Sequence, residues 1–191
     1  MARRYNEHAM DQAVIRSLAK WPDVPAVYGW LALDARGNWL LRNPASGAFE
    51  RIGNAALREF ISRNYEPDER GCWFFQNGPQ RVYVRLAYTP LVFRLDGDVV
   101  FDHCGRRAGA LAGVWLDERG ALILRAAAGV GVLEDRELLA ASELLVDASG
   151  IPVGALADAS YFVCPNGPLP LGRISSDELP LRFSFVADPQ P

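Results

Sequence analysis

The stretch that most constrains this chain is CWFFQNGPQRVYVRL, residues 72–86. It carries the densest apolar and aromatic run in the sequence, broken at its centre by Asn77, Gly78 and Pro79. Two strands meeting at a turn is the reading this pattern supports, and the remaining strands are expected to build outward from that hairpin. Pro79 has no backbone N–H, so a tight loop centred on Asn77 and Gly78 would lack its closing donor. A wider loop is expected, through which Gln76, Asn77 and Gln80 present their amides. On the outgoing strand Arg81, Tyr83 and Arg85 share one face, and Val82, Val84 and Leu86 share the other. The first face is suited to gripping a carboxylate or phosphate.

Ahead of the hairpin, Met10, Val14, Ile15, Leu18 and Trp21 fall at helical spacing, with Asn6 as N-cap and Pro22 as stop. Residues 26–33 and 38–42 read as strands joined by DARGN, with Trp30 and Trp39 placed to pack across them. A short strand at 49–52 follows. Asn54 then caps a helix running to about Tyr65, with Leu57, Phe60 and Ile61 on its buried side. EPDERG, residues 66–71, is polar and turn-rich and marks the one boundary between an α/β first third and a β-rich remainder.

Beyond the hairpin the signals are almost all for strands: 91–95, 99–103, 114–116, 121–125, 130–133, 144–147, 151–156, 161–164 and 181–186. The last alternates most cleanly, with Leu181, Phe183 and Phe185 against Arg182 and Ser184. Only 134–145 reads also as a short helix, and the closing ADPQP is expected to fray. Three segments repeat an Asp, two residues, then a Gly between apolar runs: Asp34–Gly37, Asp117–Gly120 and Asp147–Gly150. Shared turn chemistry explains them, because their irregular spacing is not that of a repeat protein. FVCPNGP echoes FFQNGP as a second Asn-Gly-Pro turn.

The chain of 191 residues is half apolar and 23% charged, enough to fill a sizeable core. The expected organisation is one compact domain over 1–191, with a possible sub-division into 1–66 and 72–187. A net charge of -3 offers no general attraction to nucleic acid or anionic lipid. Lys20 is the only lysine among 20 basic residues, yet the arginines are scattered rather than clustered. No apolar run is long enough to span a bilayer, and MARRYNEHAM lacks the apolar core of a secretory signal. Three cysteines, Cys72, Cys104 and Cys164, are too few and too odd for a disulfide framework, which favours a cytoplasmic setting.

Catalytic and metal motifs are wanting. His103 and Cys104, read as neighbours on a strand, would face opposite sides and so would not form a nucleophile and base. No close cysteine pair announces zinc. Asp96, Asp98 and Asp102 fall short of a calcium loop, and AAAGVGVLED lacks the third glycine of a dinucleotide loop. No catalytic residue, metal ligand or cofactor is assigned. The ligand-binding candidates are Gln76, Asn77, Gln80, Arg81, Tyr83 and Arg85.

The segment WFFQNGPQRVYV, with NAALREFISRNY before it and TPLVFRL after it, resembles a proteobacterial family of uncharacterised proteins over roughly residues 26–150. That resemblance implies a bacterial cytosolic setting and carries no activity, cofactor or site residue. The fold expected is α+β and mostly antiparallel, as a meander, two packed sheets or a partly open barrel, with two helices in the N-terminal third. The function expected is a non-enzymatic binding or assembly module that meets a protein partner or a second copy of itself. The alternative is an enzyme or sensor for a small anionic ligand, built on the arginine–tyrosine face.

Overall fold

The computed structural model describes residues 10–21 and 23–191; the Asn6 cap and the Pro22 stop lie outside them. Two units divide the chain, one formed by residues up to Pro90 together with Ser184–Pro191, the other by Leu91–Phe183. The EPDERG stretch lies inside the first unit, as a turn between two of its strands.

The first unit contains α1 (Gln12–Lys20), β1 (Val27–Leu33), β2 (Trp39–Arg42), β3 (Phe49–Arg51) and α2 (Ala55–Arg63). It continues with β4 (Tyr65–Pro67), β5 (Trp73–Asn77) and β6 (Gln80–Leu86). Asn54 caps α2 as its sequence predicts, its side chain accepting from the Leu57 N–H at 3.0 Å. The start of α1 is tied to the end of α2 by buried Asn64, whose Oδ1 accepts from the Asp11 N–H at 3.0 Å.

Six strands form one sheet in the order β3-β2-β1-β6-β5-β4. All neighbours are antiparallel except β1 and β6, where the chain returns beside its first strand after the α2 excursion. The hairpin is therefore internal to this sheet through β6, and it organises this unit alone. Register places Leu31, Leu33, Trp39, Tyr65, Trp73, Phe75, Val84 and Leu86 on one face. There the rings of Phe60 and Phe75 meet edge to face at 5.3 Å, and Trp39 meets Tyr65 at 4.9 Å. Burying side chains of this size contributes about 1.5–3 kcal/mol each. Trp39 does not pair with Trp30. The register sets Trp39 opposite Leu33, its indole N–H donates to Ser62 Oγ at 3.0 Å, and Trp30 stays 44% exposed.

The second unit is built from β7 (Leu91–Asp96), β8 (Val99–Asp102), β9 (Leu111–Leu116), β10 (Leu122–Ala126) and β11 (Gly129–Leu133). It goes on through α3 (Leu138–Ser142), β12 (Leu145–Val146), β13 (Tyr161–Cys164), β14 (Gly167–Arg173) and α4 (Leu179–Phe183). Its eight strands, ordered β12-β13-β14-β9-β10-β11-β7-β8, curl into a half-barrel. The pairs β7 with β11 and β9 with β14 are parallel, so both sheets are mixed while the pairing stays mostly antiparallel, as expected.

Three strand expectations change. Residues 151–156 hold only a bridge at Pro152 and the start of a 3-10 turn. β14 was hidden by Pro168 and Pro170. Those prolines fall where β14 pairs with β13 alone, before β9 joins at Leu171, so no ladder bond is lost on the open side. The alternation at 181–186 begins as α4 instead, because Ser175 and Glu178 form a capping box that starts a helical turn, and Leu181 is left 89% exposed. The last residues are docked rather than frayed. Val186 bridges Cys72, and Ala187 O accepts from the Leu86 N–H at 2.7 Å.

Among the described residues the Asp-x-x-Gly turn occurs five times, not three. Asp34, Asp68, Asp102, Asp117 and Asp147 each accept at the main-chain oxygen from the N–H of the glycine three residues on. Each N–H in turn donates to the carbonyl four residues on, and Oδ1 accepts from the N–H of that same residue. The glycines all lie at positive φ, between 78° and 81°. One short polar side chain thus closes the hairpin and occupies its inward donors.

Candidate functional site

At the second of these turns the loop hangs beside the polar face of the hairpin. Asp68 Oδ1 receives the N–H groups of Arg70 and Cys72, both at 2.9 Å, leaving Oδ2 directed at the sheet. There the Tyr83 hydroxyl donates to it at 3.0 Å and Arg70 Nε at 3.3 Å. Arg70 Nη2 reaches the Tyr83 oxygen at 3.4 Å, and its guanidinium lies 5.7 Å from the Tyr83 ring centre. Arg81 lies two residues earlier on the same face of β6, its guanidinium 4.5 Å from the Phe74 ring centre. The Tyr83 hydroxyl thus donates to Asp68 and accepts from Arg70.

The platform beneath is rigid. Tyr28 and Tyr83 stack with centroids 4.6 Å apart and planes 8° from parallel, and Phe74 meets Tyr83 at 5.8 Å. Cys72, Phe74 and Tyr83 form a buried cluster packed by Tyr28 and Val186. The loop is clamped by the C-terminal residues, since the Val186 N–H donates to Gly71 O at 3.0 Å. Gly71 cannot be replaced without movement, because a Cβ there would lie 2.2 Å from Ser184 O.

Electrostatics follows from these contacts. Burial pushes the Asp68 carboxyl upward, but the Cys72 N–H, the Tyr83 hydroxyl and Arg70 outweigh it and hold the group below its usual range. Bonds to Tyr28, Tyr83 and Asp68 raise Arg70 further above its already high value. Burial pushes the Cys72 thiol up, and the Asp68 charge adds to that. Tyr83 is raised by burial and by its bond to Asp68. At neutral pH the site therefore holds a carboxylate, two guanidiniums, a neutral phenol and a neutral thiol.

The candidates read from the sequence separate. Arg81 and Tyr83 belong to this cluster. Arg85 lies further along β6 and faces Asp188 at 3.8 Å. Gln76 is buried and donates to Gly78 O at 2.9 Å, and Gln80 donates to Pro25 O at 3.1 Å. Asn77 is exposed. The loop is tight after all: Asn77 pairs with Gln80 around Gly78 and Pro79, with Gly78 at φ 57°. Sliding the turn by one residue puts the proline inside it, where no N–H is required. Asp68, Arg70 and Tyr28 were not among the candidates. Asp68 and Arg70 carry the Asp-x-x-Gly spacing of Asp68–Gly71 as their sequence signal, inside the polar EPDERG stretch, and Tyr28 carries none.

His103 and Cys104 do meet, contrary to the strand reading, because both fall in the turn after β8. Cys104 Sγ lies 3.5 Å from His103 Nε2, while the Val92 N–H donates to Nδ1 at 3.3 Å. With Nδ1 accepting, the neutral ring carries its proton on Nε2 and presents a donor, not a base, to the sulfur. Asp102 is held by Arg106 at 2.7 Å, apart from Asp96 and Asp98, which are exposed. Among the described residues no three His, Cys, Asp or Glu side chains gather as metal ligands, and no helix is long and apolar enough to cross a membrane.

A family model described as "Protein of unknown function (DUF2946)" matches residues 10–190. The crystal structure of a DUF1285 family protein from Silicibacter pomeroyi DSS-3, at 2.50 Å resolution, is similar in fold. The likeness has a TM-score of 0.54 at 15% identity and covers 93% of this chain and 94% of that one. No curated protein matches the sequence.

Proposed function

The chain belongs to this family of proteins of unknown function, and from that premise we propose a non-enzymatic binding module for a small carboxylate or phosphate anion. Its site is the loop and strand surface made by Arg70, Arg81, Tyr28 and Tyr83. The observation that carries this reading is the convergence of two guanidiniums on one aromatic cluster, Arg70 on Tyr83 and Arg81 over Phe74, with Asp68 as counter-charge. One positive charge is left over, and the Arg70 side chain remains 57% exposed. Arginine has five N–H donors; bonds to Asp68 and Tyr83 fix its plane and leave others for an incoming carboxylate or phosphate. Tyrosine stacking sets the plane in advance, which lowers the entropy lost on binding.

Binding rather than catalysis is favoured because none of the four shifted groups here moves toward neutrality. Asp68 goes down, while Arg70, Cys72 and Tyr83 go up, so none is poised to exchange a proton at neutral pH. The cysteines are free, which supports a reducing compartment such as the bacterial cytoplasm. Calorimetric titration with inorganic phosphate and with succinate tests the proposal. Binding of at least one, lost in both Arg70→Ala and Arg81→Ala and kept in Arg85→Ala, supports it. No heat with either anion, or equal loss in Arg85→Ala, overturns it.

An assembly role has separate support. The hairpin's own aromatics, Trp73, Phe74 and Phe75, are buried and present nothing to a partner, but Trp21 and Trp30 are 51% and 44% exposed in the same unit. Sedimentation of the wild type against Trp21→Ser and Trp30→Ser reads whether they hold two copies together.

A further inference from the structure

The second unit contains a cavity that the anion site does not use. Its volume is about 200 Å³, and it lies where the two ends of the curled sheet come near each other. Leu95 and Val100 line it from β7 and β8, and Leu144, Phe162 and Val163 from the β12–β13 end. An open seam in a half-barrel is where side chains from neighbouring strands fail to fill the interior, and barrel mouths are common ligand sites. An apolar cavity of about 150 Å³ is enough to hold benzene.

The mouth has a sign. Asp96 pairs with Val99 across a two-residue turn, with Gly97 at φ 57°, and this sets Asp98 at the rim. Asp98 is exposed and has neither a hydrogen bond nor an ion pair among the described residues. Cys164, the other ionisable lining group, donates its thiol proton to Gly167 O at 2.9 Å. Among the described residues no basic side chain lines the cavity. An apolar chamber with one free carboxylate at its lip fits a ligand with a small hydrocarbon body and a cationic head. We propose that this seam binds small aryl or alkyl amines, the apolar body inside and the ammonium group against Asp98.

The test uses the full-length chain and three isosteric probes: 2-phenylethylamine, 2-phenylethanol and phenylacetate. Methyl NMR shifts at Leu95, Leu111 and Val163 locate binding, and titration ranks it. The amine is expected to bind most tightly and the acid most weakly. Asp98→Asn should weaken the amine by about 5-fold, the upper end for an exposed ion pair, and leave the alcohol unchanged. Val163→Trp, which fills the seam from a partly exposed position, should abolish binding of all three. The proposal is overturned if the amine shifts none of these methyls. It is equally overturned if phenylacetate binds as well as the amine, or if Asp98→Asn leaves the amine affinity unchanged. Asp98→Asn alters only a surface turn, so it decides the matter even if Val163→Trp fails to fold.

Discussion

The Tyr83 hydroxyl donates to Asp68 Oδ2 over 3.0 Å, joining the central hairpin to the turn that precedes it. The bond makes a surface loop part of the core, since the Asp68 side chain is only 9% exposed and Tyr83 4%. Tyr83→Phe removes the donor and leaves the carboxylate to Arg70 and two backbone N–H groups. A hydrogen bond to a charged group contributes about 1.5–3 kcal/mol, and that is the loss expected in urea unfolding. A variant as stable as the wild type would mean the bond adds nothing.

The same pair fixes the pH dependence at both ends. The Asp68 value is lowered in the folded state, so its contribution is complete above the ordinary 3.8 and is lost as pH falls through the lower folded value. Tyr83 is raised, so its contribution is complete below the ordinary 10.0 and is lost as pH rises through the higher folded value. Urea midpoints measured across pH should show an acid limb that flattens in Asp68→Asn and an alkaline limb that flattens in Tyr83→Phe. Limbs of unchanged slope in these variants would assign the titration to other groups.

Gly71 and Gly150 occupy the same place in two copies of one turn, with φ of 78° and 81°, but only Gly71 is covered. Nothing lies within 4 Å of a Cβ built on Gly150, whereas one on Gly71 strikes the Ser184 carbonyl. Gly150→Ala should therefore cost only the left-handed backbone conformation, about 1–2 kcal/mol. Gly71→Ala should lose that and about 1–3 kcal/mol more for the forced contact. Protection of the Val186 amide from hydrogen exchange should fall in the second variant alone. Equal losses would show that the docked C-terminal residues contribute little.

Local chemistry was legible in the sequence where one residue type had one use. Asn54 could cap α2, and Asp with Gly three residues on could close a turn, because these rely on neighbours in the chain. Alternation was less reliable. Leu181, Phe183 and Phe185 satisfy a strand pattern, yet the capping box at Ser175 and Glu178 starts a helix there first. The parallel pairing of β1 with β6 has no local signal at all, since it depends on where the chain returns. For the site, Arg81 and Tyr83 stood out by alternation on one strand. Asp68 and Tyr28 come to them from 15 and 55 residues away, and only the folded register brings them together.

Glu118 offers a titration free of the core. Its carboxylate accepts from Ser176 Oγ and, at 2.9 Å, from the Ser176 N–H, and these bonds hold its pKa down to about 2. The group is exposed, so the effect belongs to a local contact rather than to global stability. Sign follows from the direction: the contact is complete above the ordinary 4.5 and lost as pH falls through about 2. Side-chain carboxyl NMR should place the Glu118 midpoint lowest among the exposed glutamates. Ser176→Ala keeps the backbone donor and removes the hydroxyl, so the midpoint should rise part of the way to 4.5. Ser176→Pro removes both donors and should raise it further, leaving the Glu118 N–H and Arg119 to hold it below 4.5. A midpoint that stays put in both variants would mean that Arg119, 3.4 Å away, holds the charge instead.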